Sequence, residues 1–160
     1  MSDLADIARQ LITANVYLAL GTADPSGHPW VSPVYFTPDG YSDFYWVSSP
    51  ETQHSHNIAT RPEVSLVIYD SHAPVGAAEA VYVRATAGQV RAEDVEAAAA
   101  IYNSRLAEQE RIALDELQAS ARFRLYHATA LEHSVLIRGG DPRNERGADA
   151  RMTVTLGDTP

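Results

Sequence analysis

The order of local signals constrains this chain most: three β-type runs, separated only by tight turns, precede any long helix. Residues 16–22 (VYLALGT), 30–36 (WVSPVYF) and 44–48 (FYWVS) are apolar and rich in β-branched or aromatic side chains. Between them lie ADPSG at 23–27 and PDG at 38–40, whose Pro, Asp and Gly suit turns. Connections this short cannot hold a crossover helix, so the strands must run antiparallel rather than form βαβ units. Further strands are expected at 64–69, 80–90, 123–129, 134–137 and 152–156. In the run 80–90, Val81, Val83 and Ala85 alternate with Tyr82, Arg84 and Thr86, which gives a strand with two distinct faces.

Helical signals lie around this framework. Residues 1–13 place Leu4, Ile7, Ala8, Leu11 and Ile12 at amphipathic helical spacing, with Asp3, Asp6 and Arg9 between them. Residues 92–121 shift to Ala, Glu, Leu, Gln and Arg, which predicts a helical insertion of two helices broken near Asn103–Ser104. That insertion is expected to cover apolar strands. The stretch 71–79 reads as a loop, and 138–151, polar and Gly-rich, as a flexible one. With 160 residues the chain fits one domain spanning 1–160. The fold class is mainly β, a small antiparallel barrel with peripheral helices.

Composition narrows the function. Twelve basic residues against 21 acidic ones give a formal net charge of −9, which argues against nucleic acid and against an anionic membrane surface as partners. The absence of cysteine removes disulfides, thiolate nucleophiles and cysteine-ligated metals. No leader-like start and no bilayer-length apolar run is present, so a cytoplasmic location is the expectation.

The chemistry concentrates in FYWVSSPETQHSHNIATRPEVSLVIY at 44–69. It reads as strand, hydroxyl-rich turn, short helix over about 51–60, and strand. Ser48, Ser49 and Thr52 fall where the helix begins, with Pro50 suited to its first position. Gln53, His54, His56 and Asn57 follow within about a turn and a half. A helix start offers unpaired N–H groups and a positive dipole end, so it can hold a phosphate. Donor side chains gathered there point to a phosphate-bearing cofactor.

Other constellations read more plainly. His54 and His56 are two apart and diverge on a helix, and Glu51 adds only a second ligand, so no metal site is expected. Ser32 or Ser48 beside a histidine lacks a nucleophile elbow and an acidic partner, which argues against a hydrolase. DPSG at 24–27 lacks the phosphate-loop lysine and is a hairpin turn. Trp30, Tyr35, Tyr45 and Trp46 either stack on a flat ligand or fill the core or an interface. His127 and His133 either enter a cleft or sit at a surface. Arg138, Arg143, Arg146 and Arg151 alternate with Asp141, Glu145 and Asp149, as on a solvated loop.

Four stretches carry a family likeness: LGTADPSGHPWVSPVYF at 20–36, FYWVSSPETQHSHNIATRPEVSLVIYD at 44–70, AVYVRATAGQV at 80–90 and RLYHATALEHSVL at 124–136. In this order they resemble the pyridoxamine 5′-phosphate oxidase-like group of FMN-binding split β-barrels. The resemblance implies a homodimer with FMN in two equivalent clefts between the subunits. Strand 31–35 would run along the isoalloxazine ring, with Ser32 and Val34 in contact and backbone near Pro33 meeting its polar edge. The phosphate tail would fall to Ser48, Thr52, Gln53 and His54, with Ser49 and Asn57 as neighbours. The partner subunit's Ala80, Val81 and Tyr82 would close the far side. The chain departs from the oxidase pattern in offering Gln53-His54 for an Arg-Lys pair, Ser32 for Arg and Thr37 for Lys, which replaces a charged clamp by neutral donors. The C-terminal Arg and His motif for the vitamin's phosphate is not recognisable. The expected function is that of an FMN-dependent oxidoreductase on a small molecule. The alternatives are a deazaflavin-dependent reductase, a non-catalytic flavin or haem binder, and a cofactor-free interaction module. No catalytic acid or base is assigned.

Overall fold

The computed structural model describes residues 2–157. Its centre is one antiparallel sheet whose strands follow the order β2-β1-β5-β6-β7-β4-β3, with β8 pairing on β7. The strands are β1 (Tyr17–Ala23), β2 (Pro29–Tyr35), β3 (Thr37–Asp39), β4 (Asp43–Ser48), β5 (Glu63–Tyr69), β6 (Ala80–Gln89), β7 (Arg124–Ile137) and β8 (Ala150–Val154). Helices α1 (Leu4–Ala14), α2 (Gln53–Thr60) and α3 (Val95–Asn103) pack around it.

The two ends of that order, β2 and β3, are consecutive in the chain and joined through Phe36 alone. The sheet therefore curls until its edges meet at a covalent corner without hydrogen-bonding there. This is a split barrel rather than a closed one. Phe36 is fully buried, its N–H donates to the Val16 carbonyl, and its ring lies 6.0 Å from that of Phe44. The alternation expected for Val81, Val83 and Ala85 holds through the sheet and also sends Leu18, Leu20, Phe44, Trp46, Leu66 and Ile68 inward as one core. Helix α1 adds Ile7, Ala8, Leu11 and Ile12 to that core, as its spacing predicted.

The β1–β2 hairpin turns over 24–28, one residue later than the 23–27 expected, because Ala23 still belongs to β1. Asp24 accepts through Oδ1 from the N–H groups of Ser26 and His28, and Gly27 takes φ 90°, a conformation that favours glycine.

Three expectations need correction. The late strands are one strand, β7, interrupted by a register shift against β6: Arg84 pairs with Glu132, but Ala85 pairs with Ala130. The extra residue, Leu131, breaks the alternation, so a single bent strand reads as two. The insertion 92–121 contains one α-helix, not two. The helix does end at Asn103, but single turns of tighter helix follow at Glu108–Glu110 and Leu114–Leu117. Asn103 bonds both the N–H and the carbonyl of Ile112, which folds the chain back before a second helix can propagate. Ile112 and Leu117 thereby join Ala98, Ala99 and Leu125 over the outer face of β4 and β7, so the insertion covers strands. Finally, α2 begins at Gln53 with Thr52 at its N-cap, leaving Pro50 and Glu51 in the preceding turn.

Residues 138–149 connect β7 to β8. Asn144 donates to the carbonyls of Ile137, Arg138 and Ala148 and laces this segment together. Among the described residues no helix is long and apolar enough to cross a membrane.

Candidate functional site

Strand β4 alternates so that Phe44, Trp46 and Ser48 face the barrel interior. Ser48 is the last residue of the strand, and after three turn residues Thr52 stands at the N-cap position of α2. The first turn of α2 then swings His54 back toward the strand end. Its Nε2 lies 2.8 Å from Ser48 Oγ and 3.1 Å from Thr52 Oγ1, while Nδ1 lies 3.2 Å from Ser32 Oγ on β2. Ser32, Ser48, Thr52 and His54, drawn from three elements, thus meet at one point. It lies where β2 and β4 approach without pairing.

His54 is buried, and the loss of solvation pushes its pKa down. The ring is therefore neutral at pH 7, with one nitrogen donating and the other accepting. Among its serine partners, one donates to the ring and the other receives from it.

Thr52 has the type and backbone of a good N-cap but makes no capping bond with its side chain. Its Oγ1 instead donates backward to the Ser49 carbonyl at 2.9 Å and lies 2.8 Å from Ser55 Oγ, which also bonds Ser49. The start of α2 consequently keeps N–H groups that no side chain covers. No acidic residue stands in its first turn: Glu51 lies outside the helix with its side chain in solvent.

The remaining sequence-predicted residues are placed differently. Gln53 donates to Asn57 Oδ1 at 2.8 Å, and Asn57 donates to Thr22 Oγ1 of β1 at 2.9 Å. Asn57 is thus committed to fastening α2 onto the barrel. Ser49 contributes its carbonyl to Thr52 and Ser55, and its Oγ accepts from the Glu51 N–H. On the edge strand β2, Val34 is buried while Pro33 and Val31 face outward. Thr37, where the resemblance expects Lys, donates to the carbonyl of Tyr102 in α3.

The histidines left open by the sequence are resolved. His133 is buried, with Nε2 on the Tyr41 carbonyl, and burial pushes its pKa down. His127 holds Asp43 Oδ1 at 2.6 Å through Nε2 and stacks on Tyr45. Sequence reasoning flagged His127 but missed Asp43 and Thr22, whose partners lie 84 and 35 residues away. Only strand pairing brings them together. Of the aromatic residues, Trp46 is core, Trp30 is half-exposed, and Tyr35 packs edge-on against Tyr17 and Tyr102. Among the described residues no group of three or more His, Asp or Glu could hold a metal ion.

The donor set fits a phosphate. The uncapped helix start supplies the free N–H donors, beside a mutually bonded cluster of Ser32, Ser48, Thr52 and a neutral His54, with no carboxylate in the first turn to repel an anion. The fit is to a group held by neutral donors, and the charged clamp of the oxidase is absent at Gln53-His54.

Known proteins agree with this architecture. The chain is similar to a haem-binding protein from Mycobacterium smegmatis, with 18% identity over 96% of this chain and a TM-score of 0.69. It spans 59% of the length of that protein. HutZ, the haem storage protein of Vibrio cholerae, is similar at 20% identity, 88% of this chain, 98% of that one and a TM-score of 0.67. A Clostridium acetobutylicum protein related to general stress protein 26, of the pyridoxinephosphate oxidase family, is similar at 10% identity over 94% of each chain, with a TM-score of 0.65. No curated protein sequence matches. The family model described as pyridoxamine 5′-phosphate oxidase matches residues 4–134, and with the split barrel it places this chain in the pyridoxamine 5′-phosphate oxidase-like family.

Proposed function

We propose that the protein binds FMN and acts as an FMN-dependent oxidoreductase on a small molecule, working as a homodimer with the cofactor between subunits. The observation that carries this reading is the uncapped start of α2, where Ser48, Thr52 and His54 converge beside β2. These residues would receive the phosphate. The unpaired edge of β2, from Val31 to Tyr35, would offer backbone groups to the ring, with Ser32 and Val34 beside it. When bound, the flavin supplies the hydride or electron transfer, and the protein's part is to hold it and exclude water. His54, engaged through both ring nitrogens, would position the Ser32 and Ser48 hydroxyls for the anion without adding charge.

The outer faces of β1, β2 and β5 support the dimer. Tyr17, Val31 and Tyr69 all point away from the core and are 61%, 67% and 49% exposed, an apolar surface on one side of the sheet.

Haem binding is a second reading, because two similar structures are named as haem proteins. The histidines nearest the barrel favour flavin over haem. His127 and His133 both commit Nε2 within the chain, and His54 is engaged through both ring nitrogens.

The test is denaturation of freshly purified protein, with mass spectrometry and a visible spectrum of what is released. FMN with flavin bands is the expected result. A Soret band would establish the haem reading, and thermal stabilisation by a deazaflavin but not FMN would establish that alternative. Stabilisation by none of them would leave an interaction module. In a titration, Ser48→Ala with His54→Ala should weaken FMN binding; unchanged affinity would remove these residues from the pocket.

A further inference from the structure

A second cleft, of about 560 Å³, lies on the outside of the barrel between α3 and the outer faces of β4, β6 and β7. Tyr45 points into it from the face of β4 opposite Ser48, so it is separate from the convergence at α2. Three consecutive strands set its floor. Tyr45 of β4 pairs with His127 of β7, and His127 pairs on its other side with Gly88 of β6.

The rings of Tyr45 and His127 stand 4.6 Å apart and 15° from parallel, the spacing of adjacent strands. Asp43 fixes the imidazole by its 2.6 Å bond to Nε2. Gly88 has no side chain to continue the row. A Cβ built there would meet no atom within 4 Å, and its backbone does not require glycine. The row therefore ends in an open slot over Gly88, beside the face of His127 turned away from Tyr45. Ala97, Ala98 and Ile101 of α3 supply an apolar wall across it.

Charge selects among flat ligands. Burial pushes the Tyr45 phenol's pKa up, and the negative charges of Asp43, Asp39 and Asp94 push it the same way. The cation lining the cleft, Arg91, is held by Asp94 at 2.8 Å and Glu93 at 3.3 Å. The field inside the slot is therefore negative.

We propose that this cleft binds a planar cation, an aromatic ring bearing a protonated amine or amidine, which stands over Gly88 and stacks on His127 as the third member of the row. The carboxylates around the cleft disfavour flat anions, and stacking on the imidazole selects an aromatic ring over a saturated one. The proposal does not rest on FMN binding at α2.

The experiment is an NMR titration of the full chain, following the ring signals of His127 and Tyr45, with benzamidine as the probe and benzoate and cyclohexylamine as comparisons. Benzamidine is expected to move both sets of signals saturably through its ring current, and the other two to leave them in place. Gly88→Val fills the slot with a side chain that suits a strand, so it should fold and weaken benzamidine at least about tenfold, roughly 1.4 kcal/mol. Asp43→Asn, which preserves shape while removing charge, should also weaken it. Equal shifts from benzoate or cyclohexylamine overturn the proposal. So does unchanged benzamidine binding in Asp43→Asn, or in folded Gly88→Val.

Discussion

Asn57 of α2 donates from Nδ2 to Thr22 Oγ1 of β1 across 2.9 Å, and both side chains are buried. This bond joins the helix that forms the candidate phosphate site to the strand beneath it. A buried donor or acceptor stripped of its partner costs about 1–3 kcal/mol, whereas removing both partners costs much less than the sum. Asn57→Ala and Thr22→Val should therefore each lower the free energy of unfolding by about 1–3 kcal/mol. The double variant should fall short of additivity by about 1 kcal/mol. Urea unfolding of the four proteins checks this, and strict additivity would mean the two side chains do not interact.

His54 and His133 are both buried, and desolvation lowers the pKa of each in the folded state. Below the ordinary histidine value of 6.5, the unfolded chain then binds more protons than the folded one, so stability must fall as pH drops. The loss continues until the depressed folded-state values are passed. Its slope is at most about 1.4 kcal/mol per pH unit for each histidine. Urea midpoints taken from pH 8 to 5.5 should decline below about 6.5. His54→Gln should decline less steeply over that window, and an identical slope would show that His54 does not contribute.

Phe36 is the covalent corner where the ends of the sheet meet, and it has no exposed surface. Arg105 packs over its ring at 5.6 Å while donating to the carbonyls of Thr13 and Asn15, so the corner also anchors the chain after α3. Phe36→Ala should cost about 3–5 kcal/mol through lost burial and the cavity left behind. Phe36→Leu should cost far less. Chemical denaturation measures both, and a loss under about 1 kcal/mol for the alanine variant would show that closure does not depend on this ring.

Much of this architecture is legible in the chain itself, because period-two alternation and turn residues are local signals. Val81, Val83 and Ala85 can be assigned to one face, and Ile7, Ala8, Leu11 and Ile12 to one helix stripe, before any coordinates are seen, whereas Trp46 stays open between core and ligand. Two kinds of information are not local. The bulge at Leu131 hides the continuity of β7, since one inserted residue reverses which positions face inward. The tie from Asn103 to Ile112 overrides the helix propensity of the Ala- and Glu-rich stretch, a tertiary effect that composition cannot reveal. The candidate site divides in the same way. Thr52 and His54 announce themselves by proximity to a helix start, whereas Thr22 and Asp43 matter only through the strands and helix that face them.

Val31 tests the proposed assembly: it begins the β2 edge proposed to run along the flavin ring, but its own side chain points away from Ser32 and the α2 cluster. It lies on β2 opposite Gly21, points away from the core and is 67% exposed. Tyr17 and Tyr69 extend the same outward face. A charge at the centre of a dry interface is unfavourable unless paired, and a two-fold contact repeats the substitution on both subunits. On an exposed face the same charge costs the isolated chain little, within about 0.5 kcal/mol. Val31→Lys should therefore shift the protein from dimer to monomer in light scattering while its unfolding remains cooperative. Because FMN is proposed to lie between subunits, the variant should also lose flavin although Ser48, Thr52 and His54 are intact. A Val31→Lys protein that stays dimeric, or that becomes monomeric yet retains flavin with full affinity, would place the interface or the cofactor elsewhere on the barrel.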